Sequence, residues 1–552
     1  MTRTVYFFHK GMCAKNCALE RTMRSLLTTE VATSGDLLLR TAAAHPGRIA
    51  LALPNARISY AALRDGAIRV ARALHAAGIQ RGEHVALLLP NSIEFAEALF
   101  GIMLAGCVAV PLNARHRAAE IGYIIGDSKA SVLLTSRHED DPIDFISVLK
   151  EALPTSDVAP ELRHIALIRG DGQDNIPGRD TFLAQAERVD GHVVEQARRC
   201  VRVRDPALII YTSGTTANPK GCVLPHEAVT RGPVERARYR LASGGVDVTW
   251  AGGPLFHIGS LAPFIGSVGA GGTFLADRWF DAGRAIALMT QYGVTLAWPW
   301  FPAIVQGIID HPDFAPEKFG SLQYLFLIAP PTLVDRVQDL FPQTEILQAC
   351  GMTETAGVFA LSDADETRES RSRTQGKVCS GVEIRITDPE TGGDLPDGIM
   401  GEILVRGYNV MDNYWAAPEK TAEALDAQGW LKTGDLYTRL PDGSLIFGGR
   451  CKDMLKVGGE NVAAIEVEAF LCTHPAVKIA EVVGRPDFRL DEVPVAFVEL
   501  YDGHDVDEEI LIAHCRGRIA SYKVPRAIHF MTAADWPMSA TKIDKRALRA
   551  RL

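Results

Sequence analysis

The segment YTSGTTANPKG, residues 211–221, follows the apolar run PALII and precedes CVLPHEAV. Thr212, Ser213, Thr215 and Thr216 carry hydroxyls, Gly214 lets backbone N–H groups turn into one concavity, and Lys220 brings a mobile positive charge. Such residues suit a phosphate, but they equally suit a solvated turn after a strand. A nucleotide-triphosphatase phosphate loop needs Gly, four residues, then Gly-Lys-Ser/Thr. Here Gly214 is followed by Thr-Thr-Ala-Asn-Pro and then Lys220-Gly221, so that reading fails.

Four further segments carry polar chemistry in loop-like settings: QACGMTET (348–355), WLKTGDL (430–436), GGRCKDMLKVGGEN (448–461) and PMSATKIDKRALR near the chain end. The elements that must position them alternate along the chain. RIALAL, HVALLLP, ASVLLTS and PALIIYTS read as strands, and YAALRDGAIRVARALHAAG as a helix ended by Gly78. That alternation predicts an α/β domain with mixed, mostly parallel sheets. Composition shifts near Arg450, after which a strand, the helix AAIEVEAFLCTHPAV, the strands KIAEVVG and VPVAFVEL and the helix DEEILIAHCRGRI predict a small α+β domain. The division is therefore 1–33 as a poorly ordered tail, 34–449 as the large domain and 450–552 as the small one. Stretches such as RGDGQDNIPGRD and SDADETRESRSRTQG read as loops.

The bulk numbers narrow the class. The chain has 552 residues, 47% apolar and 23% charged, as a globular protein does, and too long for one core. A formal charge of −9 argues against nucleic acid as the main partner. Ten scattered cysteines read as reduced thiols of a cytoplasmic protein. Cys13 and Cys17 lack a second pair to complete a metal site. No signal peptide or membrane span is expected; SIEFAEALFGIMLAGCVAVPL carries Glu94 and Glu97 and reads as a buried helix running into a strand.

The five segments, in this order, resemble the adenylate-forming superfamily of acyl-CoA synthetases, luciferases and peptide-synthetase adenylation domains, over roughly residues 34–550. CKDMLKVGGENV is most similar to the carboxylate–CoA ligases, including the crotonobetaine/carnitine type. The resemblance implies that a carboxylate attacks the α-phosphate of ATP, releasing pyrophosphate, and that CoA then displaces AMP. The implied partners are a small-molecule carboxylate, ATP, Mg²⁺ and CoA, with a homodimer left open. The Thr212–Lys220 loop would hold the β- and γ-phosphates, Thr353 the α-phosphate and Glu354 the Mg²⁺. Asp435 would hold the ribose hydroxyls and Arg450 the same ribose or the phosphate, Gln348 would hold the adenine amino group, and Cys350 stands where relatives stack an aromatic residue on adenine. Lys542 is preferred over Lys545 as the catalytic lysine, Lys452 is the implied hinge of a mobile small domain, Gly458 and Gly459 would admit pantetheine, and Lys456 would assist thioester formation. The acyl pocket would be built by His257 as a gate, Trp298 and Trp300, and by Leu327, Ile328 and Ala329 as a narrowed wall. These segments hold no Lys or Arg except Arg278, so an uncharged, apolar acid is expected. A carrier-loading adenylation enzyme and an inactive nucleotide-binding homologue are the rivals.

Overall fold

A computed structural model describes residues 31–552 apart from 142, 174, 213–217, 458, 459, 540 and 541. Two seven-stranded sheets dominate the first 415 residues. In the first, Glu345–Leu347, Tyr324–Leu327, Leu296–Trp300, Val248–Ala251, Thr273–Leu275 and Ile49–Leu53 run parallel, and Ala56–Ser59 closes the edge antiparallel. In the second, Pro206–Thr212, Val108–Pro111, His84–Leu88, Ala130–Ser136 and His164–Arg169 run parallel, while Lys220–Pro225 and Asn413–Tyr414 add antiparallel strands.

Strand alternation distributes side chains between separate cores. Val85 and Leu87 face a central core shared with Leu51 of the other sheet, whereas Ala86 and Leu88 face helices Ala118–Asp127 and Phe145–Ala152. Ala52 and Leu275 face a third core with Ala282–Tyr292, Pro302–Ile309 and Pro331–Leu340. Strands buried on both faces read as continuous apolar runs, which is why HVALL has no polar alternation.

The central layer holds helices Ser34–Ala44, Tyr60–Ala76, Ile93–Leu104 and Ile258–Ala270. Ser59 caps the second by accepting from Ala62 N, and Gly78 leaves it at φ 78°. Ile93–Leu104 is buried on nearly every side, so it lacks a polar face. A Cβ on its Gly101 would sit 2.7 Å from Ala67 O, so only glycine permits this helix–helix approach. Glu97 survives there through Arg179, 2.7 Å away; burial raises its pKa and the guanidinium opposes the rise. No described helix is long and apolar enough to cross a membrane.

Antiparallel sheets follow: Ala349–Met352, Gly357–Leu361 and Lys377–Val378, then Val382–Thr387, Met400–Gly407, Leu431–Arg439 and Leu445–Arg450. A 3₁₀ turn, Cys451–Asp453, leads into the last five-stranded sheet. That sheet contains Met454–Val457, Glu460–Ala463, Val477–Asp487, Asp491–Leu500 and Ala527–Met531, and has its own core around Leu455, Val467, Val482 and Leu511.

Two sequence expectations change. SDADETRESRSRTQG contains the helix Arg368–Arg373, capped by Thr367 Oγ1 accepting from Ser370 N at 3.1 Å. The helix expected over AAIEVEAFLCTHPAV spans only Ala464–Leu471; two residues later the chain reaches His474–Pro475, and Pro lacks the N–H to continue.

Candidate functional site

Strand ends and turns converge on a cleft of about 1740 Å³. Thr212 and Lys220 face each other at the open end of an antiparallel pair and both line it. Ser213, Gly214, Thr215 and Thr216, between them, lie outside the described residues. The Lys220 ammonium sits 4.2 Å from the ring centre of Tyr414, which the adjacent strand supplies.

Tyr414 also reaches the acidic motif. Its hydroxyl donates to Glu354 Oε1 at 2.8 Å, and both residues are buried. Burial raises the Tyr414 pKa, and the neighbouring carboxylate adds to the rise, so the phenol stays a donor. Thr353 and Glu354 occupy the 3₁₀ turn Thr353–Thr355, which Ala356 leaves in the left-handed region at φ 49°. Thr355 Oγ1 ties the turn to Gly357 O at 2.7 Å, and Asn409 Nδ2 donates to Thr355 O at 3.2 Å. No local sequence signal points to Tyr414, which lies 60 positions from Glu354.

Asp435 pairs directly with Arg450 across the strands Leu431–Arg439 and Leu445–Arg450; Arg450 Nε lies 3.2 Å from Asp435 Oδ1. The turn before Asp435 is fixed by Thr433 Oγ1 donating to Ile403 O and by Gly434 N donating to Glu402 Oε1. Lys452 follows in the 3₁₀ turn on the exposed side, its pKa lowered by partial desolvation and by Arg450.

Gln348 lines the cleft and is also part of the bracing of its wall. Its Nε2 donates to the carbonyls of Arg371 and Ser372 at 3.1 and 2.9 Å, and its Oε1 accepts from Gln375 Nε2 at 3.2 Å. Gln375 Oε1 accepts in turn from Phe447 N. The amide N–H groups are therefore committed to the wall, and what the side chain can offer an adenine amino group is the second lone pair of Oε1. Cys350 lines the cleft but is 1% exposed and hydrogen-bonds to Tyr437; burial raises its thiol pKa, so it is no nucleophile.

On the acyl side, His257 caps the helix Ile258–Ala270, its Nδ1 accepting from Gly259 N at 3.1 Å, so the ring proton is on Nε2. Trp298 stacks on Phe326 at 3.5 Å and lies 4.9 Å from Trp300. Trp300 takes a positive φ of 64° and donates Nε1–H to Gly259 O at 2.6 Å. Ile328 and Ala329 line the cleft. Leu327 does not: it is fully buried among Ala297, Leu325 and Val337, because its strand points it at the outer core. One charged residue outside the expected segments lines the cleft here, Arg236, at the end of the helix that follows the Lys220 strand.

The last sheet contributes a polar edge. Lys545 pairs with Glu468 and lies 3.3 Å from Glu481, all three lining the cleft. Burial alone would lower the Lys545 pKa, but the carboxylates override it; burial and Glu468 push Glu481 up to about 8. Lys542 lies in the strand Lys542–Ile543, paired with Met538–Ser539, and Met538 and Ile543 line the cleft. The Lys542 side chain, Gly458 and Gly459 lie outside the described residues. Lys456, on the strand Met454–Val457, is exposed and is not among the residues lining the cleft.

Residues 38–415 match the AMP-binding enzyme family, and residues 466–541 match the AMP-binding enzyme C-terminal domain. The chain is 31% identical to a putative acyl-CoA synthetase, YngI, of Bacillus subtilis, over 94% of this chain and 96% of that one. It is 33% identical to a feruloyl-CoA synthase of an Amycolatopsis species, over 90% and 94%. The crystal structure of the anthranilate CoA ligase AuaEII with anthranoyl-AMP superposes with a TM-score of 0.81 at 26% identity, over 96% of this chain and 98% of that one. A cleft lined by a loop lysine, a buried Glu354 and the Asp435–Arg450 pair, on a chain aligned nearly end to end with these proteins, makes it a member of the AMP-binding enzymes and an AMP-forming acid–thiol ligase using ATP and CoA.

Proposed function

We propose that one cleft performs adenylation with the residues that converge there, and that the small C-terminal unit, residues 450–552, then turns about Lys452 for thioester formation. The observation that carries this reading is the convergence itself: Thr212 and Lys220, Thr353 and Glu354, and Asp435 and Arg450 come from three sheets to line one space. Joining a carboxylate to a triphosphate brings two anions together, so the work is charge neutralisation and positioning. Lys220 and the hydroxyl loop hold the outer phosphates. Thr353 meets the α-phosphate. Asp435 accepts from the ribose hydroxyls, and Arg450 holds Asp435 in place. Cys350 and the wall braced by Gln348 flank the base.

Glu354 suits Mg²⁺. Magnesium commonly takes one or two carboxylates plus substrate phosphates rather than a full protein cage. Glu354 offers Oε2 beside a strand that carries Lys220, while Oε1 is fixed by Tyr414. Among the described residues no cluster of three or more His, Cys, Asp or Glu could hold a metal alone. A bound Mg²⁺ would neutralise phosphate charge.

Lys542 is the catalytic lysine of this reading. Lys545 is occupied by Glu468 and Glu481, which counts against it as the catalytic lysine and supports Lys542. The acid has an apolar body, because Trp298, Trp300 and Ile328 line its side of the cleft. The eight described cysteines are free thiols, which supports a cytoplasmic setting.

The test is acid-dependent pyrophosphate release. Lys542→Ala should abolish it while leaving the thermal transition unchanged. Lys545→Ala should mainly destabilise the last sheet, by roughly 3–5 kcal/mol, as removal of one partner from a buried ion cluster does. Full pyrophosphate release in Lys542→Ala would sink the assignment.

A further inference from the structure

The acyl side of the cleft contains a positive charge without a protein counter-charge. Helix His226–Glu235 runs into a five-residue π-helical turn, Arg236–Arg240, closed by Leu241 N donating to Arg236 O at 2.8 Å. Such turns are rare and recur at functional sites. Arg236 and Arg240 leave this turn with different fates. Arg240 is anchored: its Nε donates to Asp363 Oδ1 at 2.8 Å and its Nη2 to Leu361 O at 2.8 Å. Arg236 is 5% exposed, yet among the described residues its side chain makes one hydrogen bond, a long one, Nη1 to Val358 O at 3.4 Å. Among the described residues no carboxylate lies within ion-pair distance of it.

A guanidinium has five N–H donors and stays charged at every physiological pH. Burying it without a partner is costly, and a protein retains such a group where something else completes it. Arg236 lines the cleft beside Pro233, Ala237 and Leu241, with Ala262 and Gly266 from the facing helix and Val358 from the strand after the Glu354 turn. The residues around it are mostly apolar, with the Tyr408 phenol as a polar neighbour, so a ligand group that reached it would meet one strong donor fork.

We propose that Arg236 is a specificity residue that selects acids carrying a second oxygen acceptor, a carboxylate or a ketone, remote from the carboxylate that is activated. The substrate is then an apolar skeleton with oxygen at both ends, rather than a plain hydrocarbon acid. This inference rests on the reading of the chain as a carboxylate–CoA ligase and refines which acid it takes.

The experiment uses the full-length enzyme with ATP, Mg²⁺ and CoA. Thioester formation is measured for acids in matched triplets of one carbon skeleton: unsubstituted, ω-oxo and ω-carboxyl, over a range of lengths and including a cyclic series. At the best skeleton an oxygenated member should exceed its unsubstituted partner in kcat/KM by at least about tenfold, since a buried donor left unpaired rejects the analogue. Which oxygenated member wins separates an anion from a ketone. Arg236→Leu should bring that ratio to one or below and raise turnover of the unsubstituted acid. Should Arg236→Leu fail to fold, Arg236→Gln keeps a polar N–H donor on a shorter, neutral side chain and should lose the ω-carboxyl preference. Unsubstituted acids used as well as their oxygenated partners at every skeleton would overturn the role of Arg236 while leaving the ligase reading intact. No thioester from any acid would overturn both.

Discussion

Tyr414 is the joint between the two phosphate-facing motifs, and replacing it with phenylalanine isolates one bond. The hydroxyl donates to Glu354 Oε1 at 2.8 Å, while the ring lies under Lys220 and packs at 6% exposure. Tyr414→Phe keeps the ring, its packing and its contact with the ammonium. It removes the one side-chain donor that orients the carboxylate. A hydrogen bond to a charged group contributes about 1.5–3 kcal/mol. If that energy fixes Glu354 for the metal–phosphate assembly, its loss corresponds to roughly a 10- to 150-fold fall in rate.

The assay is pyrophosphate release with saturating acid, followed against Mg²⁺ and ATP. Tyr414→Phe should lower kcat/KM for the magnesium nucleotide and move half-saturation to higher Mg²⁺. AMP binding without metal should stay at the wild-type value, because ribose and base contacts do not involve Glu354. Tyr414→Leu should lose more, since Lys220 then loses its ring as well. Tyr414→Phe activity within twofold of wild type at every Mg²⁺ concentration would refute the coupling of Tyr414 to Glu354 function.

Two further outcomes follow from the scaffold. His226 is buried against Ser34, and burial lowers its pKa to about 4 from 6.5. The unfolded chain therefore binds that proton first, so the stability contributed by neutral His226 is intact above pH 6.5 and drains away toward pH 4, by about 3 kcal/mol. His226→Asn, which keeps an acceptor, should flatten that part of a pH series of urea unfolding midpoints; an unchanged slope counts against it. Gly376 has φ 76°, and a Cβ there would lie 2.0 Å from Leu361 C and Ser362 N. Gly376→Ala should destabilise by at least about 2 kcal/mol and slacken the neighbouring Gln375–Gln348 brace, with nucleotide affinity falling alongside; wild-type melting would refute the contact.

Much of the fold was legible because burial imposes a period. HVALL and ASVLLTS are apolar throughout since both faces of each strand are covered, and the Tyr60–Ala76 helix carries its own stop in Gly78. The helix Arg368–Arg373 had no such pattern. Its residues are polar, and it is held by Thr367 as cap and by Arg371, which pairs with Glu345 and donates to the carbonyls of Ala364 and Glu366. Nothing in six polar residues announces a helix whose support comes from a strand more than twenty residues earlier.

The site divided along the same line. Motif residues such as Thr353 and Glu354, in a 3₁₀ turn, and Asp435, on a strand directly after a tight turn, are held by local geometry, so their spacing carried information about where they would point. Gln348 lines the cleft, but its amide N–H groups also go to backbone carbonyls of a helix that the sequence did not reveal, so a missed element hid its bracing role. Arg236 failed in the opposite direction. The pocket segments hold no cation but Arg278, and the further charge comes from the preceding helix, at the first residue of a π-helical turn. A period of 3.6 does not predict which side chain such a turn delivers to a cavity. Substrate choice therefore depends on the part of the wall with the weakest sequence signal, and swapping Arg236 should move specificity further than any change among the motif-encoded residues, which act on ATP.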